Sequence, residues 1–248
     1  MPVRYHFAAL GSTNARAADL LDLGEEPGFW VTADEQLTGR GRLGRDWSSP
    51  VGNLYATAAL APDVPMDRLP ELPLVVAVAV HDAVAETTGR EDLRLKWPND
   101  LLAGGAKIAG ILLEAGGRRD VVLAGIGINL VSHPSLAAYP TADLRSLGSA
   151  VDRDELWTAL GSAVDRNMRE WHSGGFGPFR QRWLRVAHGL GSTVRVRTPS
   201  DIVEGVADGI DEQGRLLLRT AGGVKTMTAG DWLPDASQGR SDGHGSEA

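Results

Sequence analysis

Hydrophobic and polar positions fall into two textures, one before Gly189 and one after it. In the first, residues 4–8 and 29–33 read as strands, and residues 54–60 as another. Residues 15–21 have helical composition. Ser12-Thr13-Asn14 stands where an N-cap belongs, and Gly24 is the stop. Residues 72–88 are apolar on nearly every face, the mark of a buried helix, and Gly89 closes them. Residues 93–97 alternate as a strand does and meet Pro98. Residues 108–114 and 121–130 flank Gly116-Gly117-Arg118-Arg119-Asp120, which predicts a hairpin. Residues 133–148 show no regular period.

Residues 152–172 predict a long helix. Asp152 is the cap, Glu155 follows three positions on, and Gly174-Gly175 ends it. A shorter helix is expected over 178–186. After Gly189 come runs at 194–197, 202–210, 216–218 and 224–227, separated by turn residues. That spacing predicts a small barrel of about five strands. The Ser/Gly/Asp-rich stretch that follows reads as a disordered tail. No βαβ alternation is present, so the expected class is α+β. A mixed sheet with flanking helices would occupy 1–188, a small all-β domain 189–234, and the tail 235–248.

Composition narrows the chemistry. With 32 acidic and 25 basic residues the net charge is -7, the wrong sign for a dedicated nucleic-acid binder. There is no cysteine, which excludes disulfides, thiol nucleophiles and cysteine-bound zinc. No apolar run reaches the roughly 20 residues of a membrane helix, and the first residues lack a charged-then-apolar leader. The expected setting is cytoplasmic. Only Lys96, Lys107 and Lys225 of the basic residues are lysine. Codon bias towards arginine accounts for that. A retained lysine also suits a site that needs a compact point charge.

The strongest local feature is Gly39-Arg40-Gly41-Arg42-Leu43-Gly44-Arg45-Asp46-Trp47. Glycines let backbone N–H groups approach an anion, and the arginines add fixed charge. A solvated flexible loop is the plain alternative. Gly39, Gly41 and Gly44 also match G-x-G-x-x-G, but that fingerprint must open a helix, and strand-like sequence follows here. No P-loop spacing occurs. Next comes Lys96-Trp97-Pro98-Asn99-Asp100, then Lys107-Ile108-Ala109-Gly110-Ile111. Strand ends meeting at one edge would gather two cations, a carboxylate and an amide; Asn99 and Asp100 are equally good turn formers. Gly125-Ile126-Gly127-Ile128-Asn129 is a strand whose glycines mark a bulge or a close approach. The six histidines have no metal-ligand spacing.

Taken in order, these pieces resemble the biotin protein ligase family. They are Gly11-Ser12-Thr13-Asn14, Gln36 leading into Gly39–Trp47, Asn53-Leu54-Tyr55, Lys96–Asp100, Lys107–Glu114 and Gly127-Ile128-Asn129, spread over roughly residues 9–131. Each is weak alone; the ordered set is specific. The resemblance implies the class II aminoacyl-tRNA synthetase-like catalytic fold of biotin and lipoate ligases, followed by an SH3-like barrel. Some members carry an N-terminal winged helix-turn-helix and act as repressors. With the Ser-Thr-Asn motif at residue 12, the resemblance implies a ligase that does not bind DNA.

The implied activity is formation of biotinyl-5'-AMP from biotin and ATP, then transfer of biotin to a lysine of a biotin carboxyl carrier domain of an acyl-CoA or pyruvate carboxylase. By the family pattern Lys107, Arg42 and Asp100 would be catalytic, Lys107 lying between the biotin carboxylate and the α-phosphate. Ser12, Thr13, Asn14, Gln36, Gly39, Arg40, Gly41, Arg42, Lys107 and Gly110 would bind biotin. Arg42, Arg45, Trp47, Asn99, Asp100 and Asn129 would bind nucleotide. Mg²⁺ would come with ATP, near Asn99 and Asp100, without direct protein ligands. Two alternatives remain at this level: a lipoate or octanoate ligase of the same fold, and a non-enzymatic nucleotide-binding protein.

Overall fold

The computed structural model describes residues 2–118, 120–135 and 139–233. The tail expected at 235–248 lies outside the described residues. One sheet is built from β1 (Val3–Leu10), β2 (Phe29–Gln36), β3 (Leu54–Leu60), β4 (Leu93–Lys96), β5 (Asp100–Ala103), β6 (Ala106–Ala115) and β7 (Val122–Ile128), in the order β1-β2-β3-β7-β6-β5-β4. The β1–β2 pair is parallel. The remaining neighbours are antiparallel, so the sheet is mixed as expected. The 108–114/121–130 hairpin is present as β6 and β7.

The two-residue period of the strands splits the side chains between two cores. Phe29, Val31, Ala59 and Leu123 face helix α1 (Thr13–Asp22). Trp30, Ala56, Ala58, Ala124 and Ile126 face the opposite way. On that side lie α2 (Leu72–Thr88), α3 (Arg153–Gly174) and α4 (Gly177–Arg185). Helix α2 packs against the sheet and against α3, which explains why it is apolar all round. The Asp152 carboxylate accepts from the N–H groups of Asp154 and Glu155 at the start of α3, as its capping pattern predicts. Helix α1 has only ten residues, about 15 Å of rise. It leaves much of its face of the sheet uncovered, and that bare area becomes the site.

A second sheet contains β8 (Thr193–Arg197), β9 (Ile202–Ile210), β10 (Leu216–Thr220), β11 (Gly223–Met227) and β12 (Asp231–Leu233). Its order is β11-β10-β9-β8-β12, antiparallel throughout. The expected barrel is therefore not closed. Strand β12 has three residues and pairs with β8 alone, while β11 leaves four of its five residues exposed. Val194, Val196, Ile210 and Leu216 of this sheet share one hydrophobic core with Phe176 and Trp183. Trp97 Nε1 donates to the Gly214 carbonyl oxygen at 3.2 Å, tying the second sheet to the β4–β5 turn. Among the described residues no helix is long and apolar enough to cross a membrane.

Candidate active site

The bare face holds a cleft of about 1090 Å³. Its floor is backbone. Gly110 and Gly127 are cross-strand partners, and the register continues the row to Tyr55 on one side and Asp100 on the other. Trp47 lies on this glycine pair. A Cβ at Gly110 would stand 2.9 Å from its Cζ3, and one at Gly127 2.6 Å from its Nε1. Neither glycine of the pair has room for a side chain, because the ring occupies that space.

Lys107 reaches the same face through an irregularity. Asp100 pairs with Gly110 and Leu101 with Ala109, but Leu102 pairs with Lys107, so Ile108 is an extra residue in β6. Ile108 and Ala109 both enter the core. Strict alternation would put Lys107 opposite Gly110; the bulge brings both to the cleft. Lys107 Nζ is 2.6 Å from Asp100 Oδ1. It lies 5.1 Å from the Trp47 ring centroid and 5.5 Å from that of Tyr139, whose hydroxyl is 3.5 Å away. Lys96 Nζ also lies near the Tyr139 ring, 4.9 Å from its centroid. Burial pushes the Lys96 ammonium below the ordinary lysine range, Asp100 opposes the shift, and Lys107 adds to it.

The arginine loop is a small hairpin. Arg40 bridges Asp46, Trp47 N–H donates to Gly39 O at 2.9 Å, and Gly41 N–H to Arg45 O at 2.7 Å. At its tip Leu43 and Gly44 have φ of 57° and 71°. Arg42 Nη1 donates to Asn99 Oδ1 at 3.3 Å and to the Gly230 carbonyl oxygen at 3.2 Å. Arg45 Nη2 is 3.0 Å and Arg42 Nη1 3.7 Å from Asp231 Oδ1. Arg40 stays exposed. The loop thus closes against the β8–β12 side of the second sheet.

At the other end a chain of polar groups runs between strands. Ser12 occupies the cap position of α1, yet its side chain makes no cap hydrogen bond. Thr13 donates to Gln36 Oε1 through its N–H at 2.8 Å, with its hydroxyl 3.0 Å from the same oxygen. Gln36 Nε2 then donates to Ser49 Oγ at 2.9 Å, and Ser49 donates to the Trp47 carbonyl oxygen. Thr57 donates to Asn14 Oδ1 at 2.6 Å, and Asn14 Nδ2 donates to Glu114 Oε2 at 2.6 Å. Glu114 accepts only, so it fixes which way the Asn14 amide points. Asn129 Nδ2 donates to the Ala142 carbonyl oxygen at 3.0 Å, which anchors it in the cleft wall.

All the site residues read from the sequence line this one cleft, from Ser12, Thr13 and Asn14 to Asn129. The reading missed Ser49, Thr57, Tyr139 and the Gly230–Trp232 segment, and gave Glu114 no role. It also read Pro98 as a break, where the structure turns β4 back into β5 and delivers Asp100 beside Lys96.

The chain matches the family described as Biotin/lipoate A/B protein ligase over residues 7–130, and the Biotin protein ligase C terminal domain over 189–231. A biotin–[acetyl-CoA-carboxylase] ligase of Paracoccus denitrificans is 37% identical over 234 residues, covering 90% of this chain and 97% of that one. The protein of the same name from Mycobacterium tuberculosis is 34% identical, covering 90% and 86%. The biotin protein ligase of Aquifex aeolicus, solved with biotin and ATP, superposes with a TM-score of 0.84 at 29% identity, covering 94% of this chain and 98% of that one.

Proposed function

The chain belongs to the biotin/lipoate A/B protein ligase family, and from that premise we propose how its cleft divides the work of ATP-dependent protein biotinylation. Biotin and ATP give biotinyl-5'-AMP and pyrophosphate. The biotinyl group then passes to a lysine of a biotin carboxyl carrier domain. The observation that carries the reading is Lys107: a buried ammonium held by Asp100, on a bare floor, beneath an arginine hairpin.

In the first step a biotin carboxylate oxygen bonds to the α-phosphorus. The bond from that phosphorus to the bridging oxygen breaks, and pyrophosphate leaves with the electron pair. Two anions must meet, so fixed positive charge at the reacting atoms lowers the barrier. Lys107 supplies it between carboxylate and α-phosphate. Arg42 and Arg45 gather the phosphates, with Asn99, Asn129 and Trp47 on the nucleotide side. Ser12, Thr13, Asn14 and Gln36 hydrogen-bond the biotin head, while Gly39, Arg40, Gly41 and Gly110 shape its walls. In the second step the carrier amine bonds to the biotinyl carbonyl carbon, AMP leaves with the electron pair, and Asp100 accepts the amine's proton. The closed hairpin keeps water, the rival nucleophile, from the mixed anhydride.

Among the described residues no group of three His, Asp or Glu side chains could hold a metal. The oxygens of Asn99 and Asp100 face Arg42 and Lys107. Asn99 and Asp100 would hold Mg²⁺ brought in with ATP, and the metal would shield phosphate charge. The working division is a catalytic domain over 1–188 and a C-terminal domain over 189–234. The carrier belongs to an acetyl-CoA carboxylase or to pyruvate carboxylase, and the setting is cytoplasmic. The net charge of -7 supports a ligase that does not bind DNA.

The test is exchange of labelled pyrophosphate into ATP, with biotin or lipoate as the acid. Exchange that requires biotin and collapses in Lys107→Ala is expected. Exchange supported by lipoate alone would move the assignment to the lipoate branch, and none with either would refute adenylation.

A further inference from the structure

Arg42, Arg45 and Lys96 converge on the nucleotide end of the cleft, and three cations in one confined space repel one another. The second sheet answers each of them with one short strand. Gly230, just before β12, gives its carbonyl oxygen to Arg42. Asp231 gives its carboxylate to Arg45 at 3.0 Å and to Arg42 at 3.7 Å. The Trp232 carbonyl oxygen lies 3.4 Å from Lys96 Nζ. Asp231 is mostly buried, with 19% of its side chain exposed, and it lines the cleft. Burial lowers the Arg42 guanidinium from its ordinary value, and Asp231 is the main group opposing that shift. The loop arginines therefore already hold an anion, the Asp231 carboxylate, at the end of the cleft where the proposed reading puts the phosphates.

We infer that Asp231 is a positioning residue that acts as the exchangeable counter-ion of the arginine hairpin: the triphosphate displaces it, and it returns when pyrophosphate departs. This rests on the adenylating reading above. The physical need is specific to the interval between the two steps. While ATP is bound, the phosphates hold Arg42 and Arg45 over the cleft. Once pyrophosphate leaves, only the single α-phosphate charge of the adenylate remains, and the hairpin loses most of its anchor. An opening hairpin would release the mixed anhydride to water. A carboxylate on the neighbouring sheet restores the lost charge without entering the chemistry, and keeps the hairpin down until the carrier arrives. No bond is made or broken by Asp231.

The experiment measures, in one reaction with biotin, MgATP and an apo carrier domain of acetyl-CoA carboxylase, the ratio of free biotinyl-adenylate released to biotin transferred. Asp231→Asn should raise that ratio at least about fivefold, and Asp231→Glu should bring it back to within about twofold of wild type, a charge-assisted pair being worth roughly tenfold in an equilibrium. Because the pairs are partly exposed, added KCl should raise the ratio in wild type and leave Asp231→Asn unmoved. An unchanged ratio in Asp231→Asn overturns the inference. So does a rise in both variants that tracks a fall in melting temperature, which would mark a structural role. A wild-type protein that forms no biotinyl-adenylate would instead sink the reading on which the inference rests.

Discussion

Lys107 Nζ stands 2.6 Å from Asp100 Oδ1, yet that buried oxygen receives no aligned hydrogen bond from the described residues. The two are paired by charge and proximity. A close pair without directional bonds leaves the ammonium free to turn towards another anion.

Removing either partner should therefore have separable effects. Lys107→Ala should lower biotin-dependent pyrophosphate exchange by at least about 10²–10³-fold, the loss typical of one preorganised charge stabiliser. It should also cost about 3–5 kcal/mol of stability by stranding a buried carboxylate. Asp100→Asn should keep more of the exchange than of the transfer to carrier. Single-turnover assays of the two steps check both, and equal losses in both steps would refute the assignment of Asp100.

Gly127→Ala puts a methyl group 2.6 Å from Trp47 Nε1. The ring cannot stay on the floor. The KM for ATP should rise, Trp fluorescence should shift to the red as the indole meets water, and folding should lose roughly 1–3 kcal/mol from overpacking. An alanine variant with unaltered emission and unaltered KM would show that Trp47 does not need the glycine pair.

Glu114 is 100 residues from Asn14 in sequence and 2.6 Å from it in space. Glu114→Leu keeps the bulk and removes the acceptor, leaving a buried amide donor unserved at about 1–3 kcal/mol. The KM for biotin should rise about tenfold or more with kcat and the KM for ATP unchanged, and Glu114→Gln should fall between. A parallel drop in kcat would mean that the carboxylate serves more than the biotin end.

Burial lowers Lys96 from its ordinary value of 10.5. The folded protein thus releases this proton at a lower pH than the unfolded chain does. Its contribution to stability is a penalty at neutral pH that is relieved as pH rises from the lowered folded value towards 10.5. Function should run the other way. The KM for ATP should climb at pH values below the usual lysine range as the charge is lost, and Lys96→Arg, whose charge persists, should flatten that climb. A KM that stays level in wild type across the alkaline range would exclude Lys96 from phosphate binding.

The main fold was legible because β2 and β3 are short apolar runs rich in strand formers and α2 is a long run apolar on every face, closed by Gly89. Strands of four and three residues, β5 and β12, are too short to show a period, and Pro98 hid the first of them behind a turn. The site was legible where motif residues are its walls. It was opaque where partners come from afar: Thr57 lies 43 residues from Asn14, and Asp231 186 from Arg45. Lys107 and Gly110 are three apart, a spacing that plain alternation assigns to opposite faces; only the extra residue at Ile108 reconciles them.

The glycine row has a bearing on how such an enzyme can change. Gly110 and Gly127 leave room for the Trp47 ring, and any larger residue at either position collides with it. A shift in which acid is accepted must be written around the rim, in the Ser12–Asn14 turn and in Gln36, and those positions can diverge while the platform stays the same.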